Sequence, residues 1–137
     1  MDDSRLRDLL ENARVIAVVG HSDDPARDSY RIGRYLRDAG YVVYPVNPTL
    51  TEIDGERCYP DLASVPEPID IVDVFRRAEF LPNIVRDAVR VDAGAVWGQF
   101  TVTHPEADRI AAETGIPLVM DRCILVEHRR LGIPKRT

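Results

Sequence analysis

Residues 15 to 25 read Val15-Ile16-Ala17-Val18-Val19-Gly20-His21-Ser22-Asp23-Asp24-Pro25, or VIAVVGHSDDP. The first five form a continuous apolar run rich in β-branched residues, the composition of a strand covered on both faces of a parallel sheet. Gly20 follows where the chain must turn out of that sheet, and it permits a backbone conformation that a β-carbon would resist. A nucleotide-binding strand and turn begins this way, yet the two further glycines of a dinucleotide loop are missing. His, Ser and two carboxylates stand in their place, so the stretch sets a fold and leaves the ligand open.

Upstream, Leu6, Leu9, Leu10 and Ala13 recur at i, i+3, i+4 and i+7 and predict a leading helix over about residues 4–13. Downstream, Ser29 to Ala39 places Ile32, Gly33 and Leu36 on one side of a second helix, with Gly40 where a left-handed C-cap belongs. Tyr41 to Val46 reads as a strand, and Pro45 near its end marks an edge or terminating position. The connection from Asn47 to Pro68 is long; it holds an Asp54-Gly55 turn signal and a short helical piece around Asp61 to Val65. Ile69 to Phe75, Gly94 to Trp97 and Pro117 to Met120 complete five strands. Helices are predicted over Phe80–Val91, from Thr103 to Thr114 and over Arg122–Arg130. Thr103-His104-Pro105-Glu106 fits a capping box, with Thr103 as N-cap and Glu106 reaching back.

Strands alternating with helices at this spacing predict right-handed crossovers and a parallel sheet covered on both faces. The expected fold is a doubly wound α/β single domain over residues 1–137, with its core at about 15–131 and a basic C-terminal tail. His128-Arg129-Arg130 and Lys135-Arg136 supply that tail's charge, and it is expected to lie solvated.

At 137 residues the chain suffices for one domain with a real core. Its 45% hydrophobic and 30% charged residues are those of a soluble protein, and no apolar run nears the roughly 20 residues of a membrane span. The acidic start Met1-Asp2-Asp3-Ser4 is unlike an export signal, so a cytoplasmic location is expected, with no membrane partner. A net charge of −5 argues against general nucleic-acid binding. Cys58 and Cys123 lie far apart without metal-ligand spacing, and the three histidines are scattered, so no metal site is expected.

In doubly wound sheets ligands sit beyond the carboxyl ends of the strands, so the residues that follow each strand are the candidates. They are Gly20-His21-Ser22, then Asn47-Pro48-Thr49, Phe75-Arg76-Arg77, Trp97-Gly98-Gln99 and Asp121-Arg122-Cys123. Asn47 stands where an NAD-binding chain would present an acid for the ribose, which argues against NAD; it binds a ligand or forms an Asx-turn. Phe75 can stack on a base while Arg76 pairs with phosphate. Gln99 suits an amide or hydroxyl partner, and Arg122 near a helix start can offset ligand charge. Trp97 belongs to the core or to an interface. Cys123 at a helix start is either a buried structural thiol or a nucleophile. No nucleophile elbow, P-loop or paired-His motif is present, and no catalytic set is legible.

In order, the segments IAVVGHSDDPARDSYRIGRYL, GYVVYPVNPT, GERCYPDLASVPEPIDIVDVFRR, VWGQF and MDRCILVEHRRL resemble the small stand-alone CoA-binding domain proteins of bacteria. These are relatives of the N-terminal CoA-binding domain of the succinyl-CoA synthetase α subunit, and the likeness runs from about Val15 to Leu131. It implies a Rossmann-like domain whose ligand is coenzyme A or an acyl-CoA, held without catalysis. By motif position it implies that Gly20, Ser22, Asn47, Pro48, Phe75, Arg76, Gln99 and Cys123 meet the ligand, with the first loop at the diphosphate. His21 and Asp23 stand where similar sequences carry a small residue and a proline, and Thr101 where a glycine is usual. Two alternatives stay open: a Cys123-dependent acyl- or thiol-transfer enzyme, and a nucleotide-responsive regulatory subunit or homo-oligomer using Trp97 and the long connection as its interface.

Overall fold

The computed structural model describes residues 1–136; Thr137, the last residue of the expected domain, lies outside the described residues. Along the chain, α1 (Asp3–Asn12) leads into β1 (Val15–Val19), α2 (Asp28–Asp38) and β2 (Val42–Val46). A small hairpin of β3 (Glu52–Ile53) and β4 (Glu56–Arg57) and a 3-10 turn (Leu62–Ser64) precede β5 (Ile71–Val74). A second 3-10 turn (Ala78–Phe80) runs into α3 (Leu81–Arg90), followed by β6 (Val96–Gly98), α4 (Pro105–Thr114), β7 (Leu118–Val119) and α5 (Ile124–Arg130).

Five strands form one parallel sheet in the order β2-β1-β5-β6-β7. It is a single-domain, Rossmann-like α/β fold. Every residue of β1 is buried, as its unbroken apolar run requires, because that strand is paired on both sides and covered on both faces. Side chains alternate between two cores. Ile16, Val18, Ile71 and Trp97 pack with Leu6, Leu10, Leu36 and Ile124 under α1, α2 and α5. Ala17, Val72, Val74 and Val96 pack with Leu81, Val85, Ile110 and Leu62 under α3, α4 and the long connection.

The chain leaves β1 toward β2 on the first face, returns across the sheet to β5 on the second, and continues outward to β7. The switch point therefore lies between β1 and β5, where a crevice opens beyond the strand ends. β2 is one of the two edge strands, which explains how Pro45 is accommodated. Its outer rim is engaged by the returning connection: the Tyr59 N–H donates to the Pro45 carbonyl at 2.9 Å, and the Asn47 N–H donates to that of Tyr59 at 2.9 Å.

Three local expectations are corrected. The helix α4 is capped by His104 and not by Thr103. Pro105 occupies the first helical turn, so the residue before it is held extended (φ −158°, ψ 128°) and takes the cap position, where its Nδ1 accepts the Glu106 N–H at 3.1 Å. Glu106 does not reach back; its carboxylate binds Arg86 (3.0 Å) and Arg109 (3.2 Å). The basic C-terminal segment is solvated only in part: Arg129, Arg130 and Lys135 are exposed, but the segment is tied to the body of the domain. His128 is buried, Arg130 pairs with Asp3 and Glu127, and the Arg136 N–H donates to the Ala39 carbonyl at 2.7 Å. Trp97 is fully buried, with its Nε1–H on the Arg122 carbonyl at 2.7 Å, so it supplies no interface. The Asp54-Gly55 signal proves to be a two-residue hairpin turn with both φ positive (51° and 80°), which matches the twist of paired strands. No helix among the described residues is long and apolar enough to cross a membrane.

Candidate ligand site

Three connected cavities lie along the carboxyl edge of the sheet. The first is a polar crevice of about 500 Å³ at the switch point, lined by Gly20, Ser22, Asn47, Phe75 and the start of α2. The second is a slot of about 180 Å³ reached past Gly20, walled by Val46, Pro48, Leu62, Arg76, Phe80 and Ile84. The third, of about 500 Å³, shares Asp28 and Phe75 with the crevice and Arg76 with the slot, and extends to Gln99 and Cys123.

Gly20 makes this junction. Its φ is +86°, and a β-carbon there would stand 2.7 Å from the Phe75 carbonyl oxygen, so only glycine lets the β1 and β5 ends approach so closely. Beyond it, the Ser22 N–H donates to Ser29 Oγ (2.9 Å), and Ser22 Oγ accepts the Asp24 N–H (3.0 Å). Asp24 in turn takes the Ala26 N–H (2.9 Å), so the Asp24-Pro25 turn consumes its own carboxylate. The loop delivers the chain to α2, whose cap residue Arg27 makes no side-chain capping bond. The N–H groups of Asp28, Ser29 and Tyr30 have no acceptor among the described residues, and Asp28 and Ser29 line the crevice. Free amide donors at the positive end of a helix dipole are an anion site. Arg27 adds positive charge to the same crevice, whereas Asp23 adds an exposed carboxylate.

The expected site residues fall into groups. Gly20, Ser22, Asn47 and Phe75 border the crevice, Pro48 and Arg76 the slot, and Gln99 and Cys123 the third cavity. Asn47 shapes the loops while bordering the crevice. Its Oδ1 accepts the Thr49 N–H (3.0 Å) in an Asx-turn, and its Nδ2 donates to the His21 carbonyl (3.1 Å), tying the β1 and β2 ends together. Arg76 lays its guanidinium 4.3 Å from the centre of the Phe80 ring, between slot and third cavity. Gln99 is buried, and its Oε1 accepts the Ile124 N–H at 3.1 Å.

Two expected residues turn their side chains away. His21 is buried against Gly33, with Nδ1 on the Ser22 carbonyl at 2.8 Å. Burial lowers its pKa, partly opposed by that bond, so the ring is neutral with the proton on Nδ1. Arg122 directs its guanidinium to Glu127 at 3.2 Å, on α5. Arg27, Leu62 and Ile84 were not among the expected residues. The unusual length of the Asn47–Pro68 connection was the available signal for Leu62, and nothing in the pattern of α3 marked Ile84 as a wall and not core.

Cys123 occupies the α5 cap position, buried, with its side chain in no capping bond. The rings of the three histidines are engaged elsewhere: His21 with Ser22, His104 with Glu106 and His128 with Tyr35. Among the described residues there is no cluster of His, Cys, Asp or Glu that could hold a metal ion.

The family model described as a CoA binding domain matches residues 14–129. Among similar proteins, YneT of Bacillus subtilis is 39% identical over 125 residues, covering 91% of this chain and 93% of its own. An ADP-forming acetate–CoA ligase (I) of Archaeoglobus fulgidus is 36% identical over 121 residues, which are 81% of this chain but 18% of the ligase. A solved Pyrococcus horikoshii protein superposes with a TM-score of 0.92 at 37% identity, covering 96% of this chain and 92% of that one. A Thermus thermophilus protein does so with a TM-score of 0.90 at 43% identity, covering 96% and 99%. With the switch-point crevice, the uncapped helix start and a match over nearly its whole length, the chain belongs to the CoA binding domain family.

Proposed function

We propose that this protein binds coenzyme A or an acyl-CoA across the three cavities and performs no chemistry on it. The uncapped N-terminus of α2 facing the Gly20 crevice carries the reading, because it offers bare backbone donors where a diphosphate would lie. The slot combines apolar walls at Val46, Pro48, Pro60, Leu62 and Ile84 with the polar groups of Asp61, Asn83 and Asp87, a mixture that suits a planar base with hydrogen-bonding edges, and Arg76 stands where it can reach phosphate. The pantetheine arm then runs toward Gln99 and Cys123. A transfer reaction at Cys123 has less support, since no histidine is hydrogen-bonded to it.

Isothermal titration of the purified protein with CoA tests the proposal; a folded sample giving no binding with CoA or acetyl-CoA would sink it. Arg76→Ala removes one charge-assisted contact of about 1.5–3 kcal/mol, so affinity should fall roughly ten- to a hundredfold. An unchanged Kd removes Arg76 from the site. Asp23→Asn should act in the opposite sense. Its carboxylate lines the crevice without an ion-pair partner among the described residues, and repels a diphosphate through partly screened water. Affinity should rise about threefold or more at low ionic strength and the gain should shrink as salt is added; a salt-independent change would mean that charge is not its cause.

A further inference from the structure

We infer that the third cavity is an acyl pocket, so that the protein takes an acyl-CoA with a short apolar acyl group in preference to free CoA; this rests on the CoA reading above. Beyond Gln99 and Cys123, Ile32, Phe75, Phe100, Val102 and Leu125 give the cavity an apolar wall, and Asp28, Thr101 and the three arginines Arg31, Arg76 and Arg77 make up the rest of the lining. At about 500 Å³ the space lies within the range of about 300–1,000 Å³ that encloses whole small ligands, more than a terminal thiol needs. A thiol gains little from such walls, whereas an alkyl group leaves water against all of them.

Phe100 is the strongest sign. It is 58% exposed, more than any other large apolar side chain among the described residues. Its exposure is imposed by the backbone and is not slack. Thr101, a β-branched residue, is held in the left-handed region (φ 69°), with its N–H on Asp121 Oδ1 at 2.7 Å, and Asp121 is itself left-handed (φ 60°). The Val102 N–H closes the turn on the Gln99 carbonyl at 2.9 Å. Strain of this kind persists only where the surroundings hold it, and here it fixes an aromatic ring at the rim of a cavity. Gln99 contributes polarity at the right depth: its Oε1 is taken by Ile124, while its Nε2 makes no hydrogen bond within the described residues and can donate to a thioester carbonyl.

The pocket selects a neutral acyl group. Of its three cations, Arg31 pairs with Asp28 and Arg77 with Glu79, and Arg76, which makes no ion pair, is the one assigned above to the ligand's phosphate, so none is left over for a terminal carboxylate. Calorimetric Kd values for CoA, acetyl-, butyryl- and succinyl-CoA test this. Each buried methylene should tighten binding about fourfold, so butyryl-CoA should bind at least tenfold more tightly than CoA. Phe100→Ala, an exposed position that leaves the core intact, should collapse the butyryl-to-CoA affinity ratio toward one. Equal binding of CoA and butyryl-CoA would overturn the acyl pocket and leave the CoA reading standing. Succinyl-CoA binding more tightly than butyryl-CoA would overturn the apolar assignment. Absence of binding by any of the four would overturn both.

Discussion

Replacing Gly20 with alanine is expected to cost roughly 2–5 kcal/mol of folding stability and to reduce CoA affinity at least tenfold. Two separate terms add. Placing an L-residue at φ +86° costs about 1–2 kcal/mol. The new methyl group would also stand 2.7 Å from the Phe75 carbonyl oxygen and 3.1 Å from Arg76 Cδ. Backbone must move to relieve that overlap, at about 1–3 kcal/mol. The movement separates the β1 and β5 ends, and with them the crevice wall on which the proposed ligand rests. Gly115 provides the comparison. It has nearly the same φ, +81°, with nothing within 4 Å of a built β-carbon, and it caps α4 away from the cavities. Gly115→Ala should therefore lose only the first term and none of the affinity. Urea denaturation and calorimetry of both variants decide the matter: equal losses of stability would mean that the close approach at the switch point carries no cost.

Asp73→Asn is expected to leave stability near pH 4 almost unchanged and to raise it increasingly above the parent as pH rises. Asp73 lies on β5 between Val18 and Trp97, is fully buried, and neither carboxylate oxygen has a hydrogen-bond partner among the described residues. Burial raises its pKa well above the ordinary carboxylate value, so the folded protein holds it protonated. Below the unfolded pKa, 3.8, both folded and unfolded chains carry this proton and the group makes no pH-dependent contribution. Above it the unfolded chain releases the proton while the folded chain retains it. Stability then falls by about 1.4 kcal/mol per pH unit until the folded pKa is passed. Asparagine has the same shape and does not titrate, so in denaturant titrations the difference between the two proteins should grow with that slope above pH 4 and level off once the folded pKa is passed. A constant difference would show that the carboxyl finds a partner in solution.

Most of the architecture was legible because it rests on periodicity. The apolar run at Val15–Val19 and the helical spacing in α1, α2 and α3 locate four of the principal elements to within about two residues, and the strand-end rule then points to the crevice. What was hidden depends on direction and on distant partners. Asp70 and Asp73 sit in the same predicted strand and look alike. One accepts the N–H groups of Arg14 and Val15 (2.9 and 2.8 Å) at the entry to β1, while the other is sealed in the core without a partner. Only the three-dimensional neighbours separate them. The basic tail was legible only in part for a similar reason: Arg129, Arg130 and Lys135 are exposed as its charge suggests, but composition does not record that Asp3, Glu11 and Ala39 lie within its reach. His21 and Ser22 are adjacent after the same strand, yet the loop turns one ring inward and leaves the other hydroxyl beside the crevice.

The position of His21 also constrains how this loop can vary. Its ring fills the space that a β-carbon at residue 33 would need, so bulk at position 21 is tolerated only because residue 33 has none. The two positions share one volume across a helix and a loop. A relative with a small residue at position 21 is free to carry alanine at 33, whereas one with His at 21 must move that buried ring off its bond to the Ser22 carbonyl to do so. Substitutions at these two sites should therefore be inherited as a pair, and a library that randomises the loop without residue 33 would discard sequences that fold.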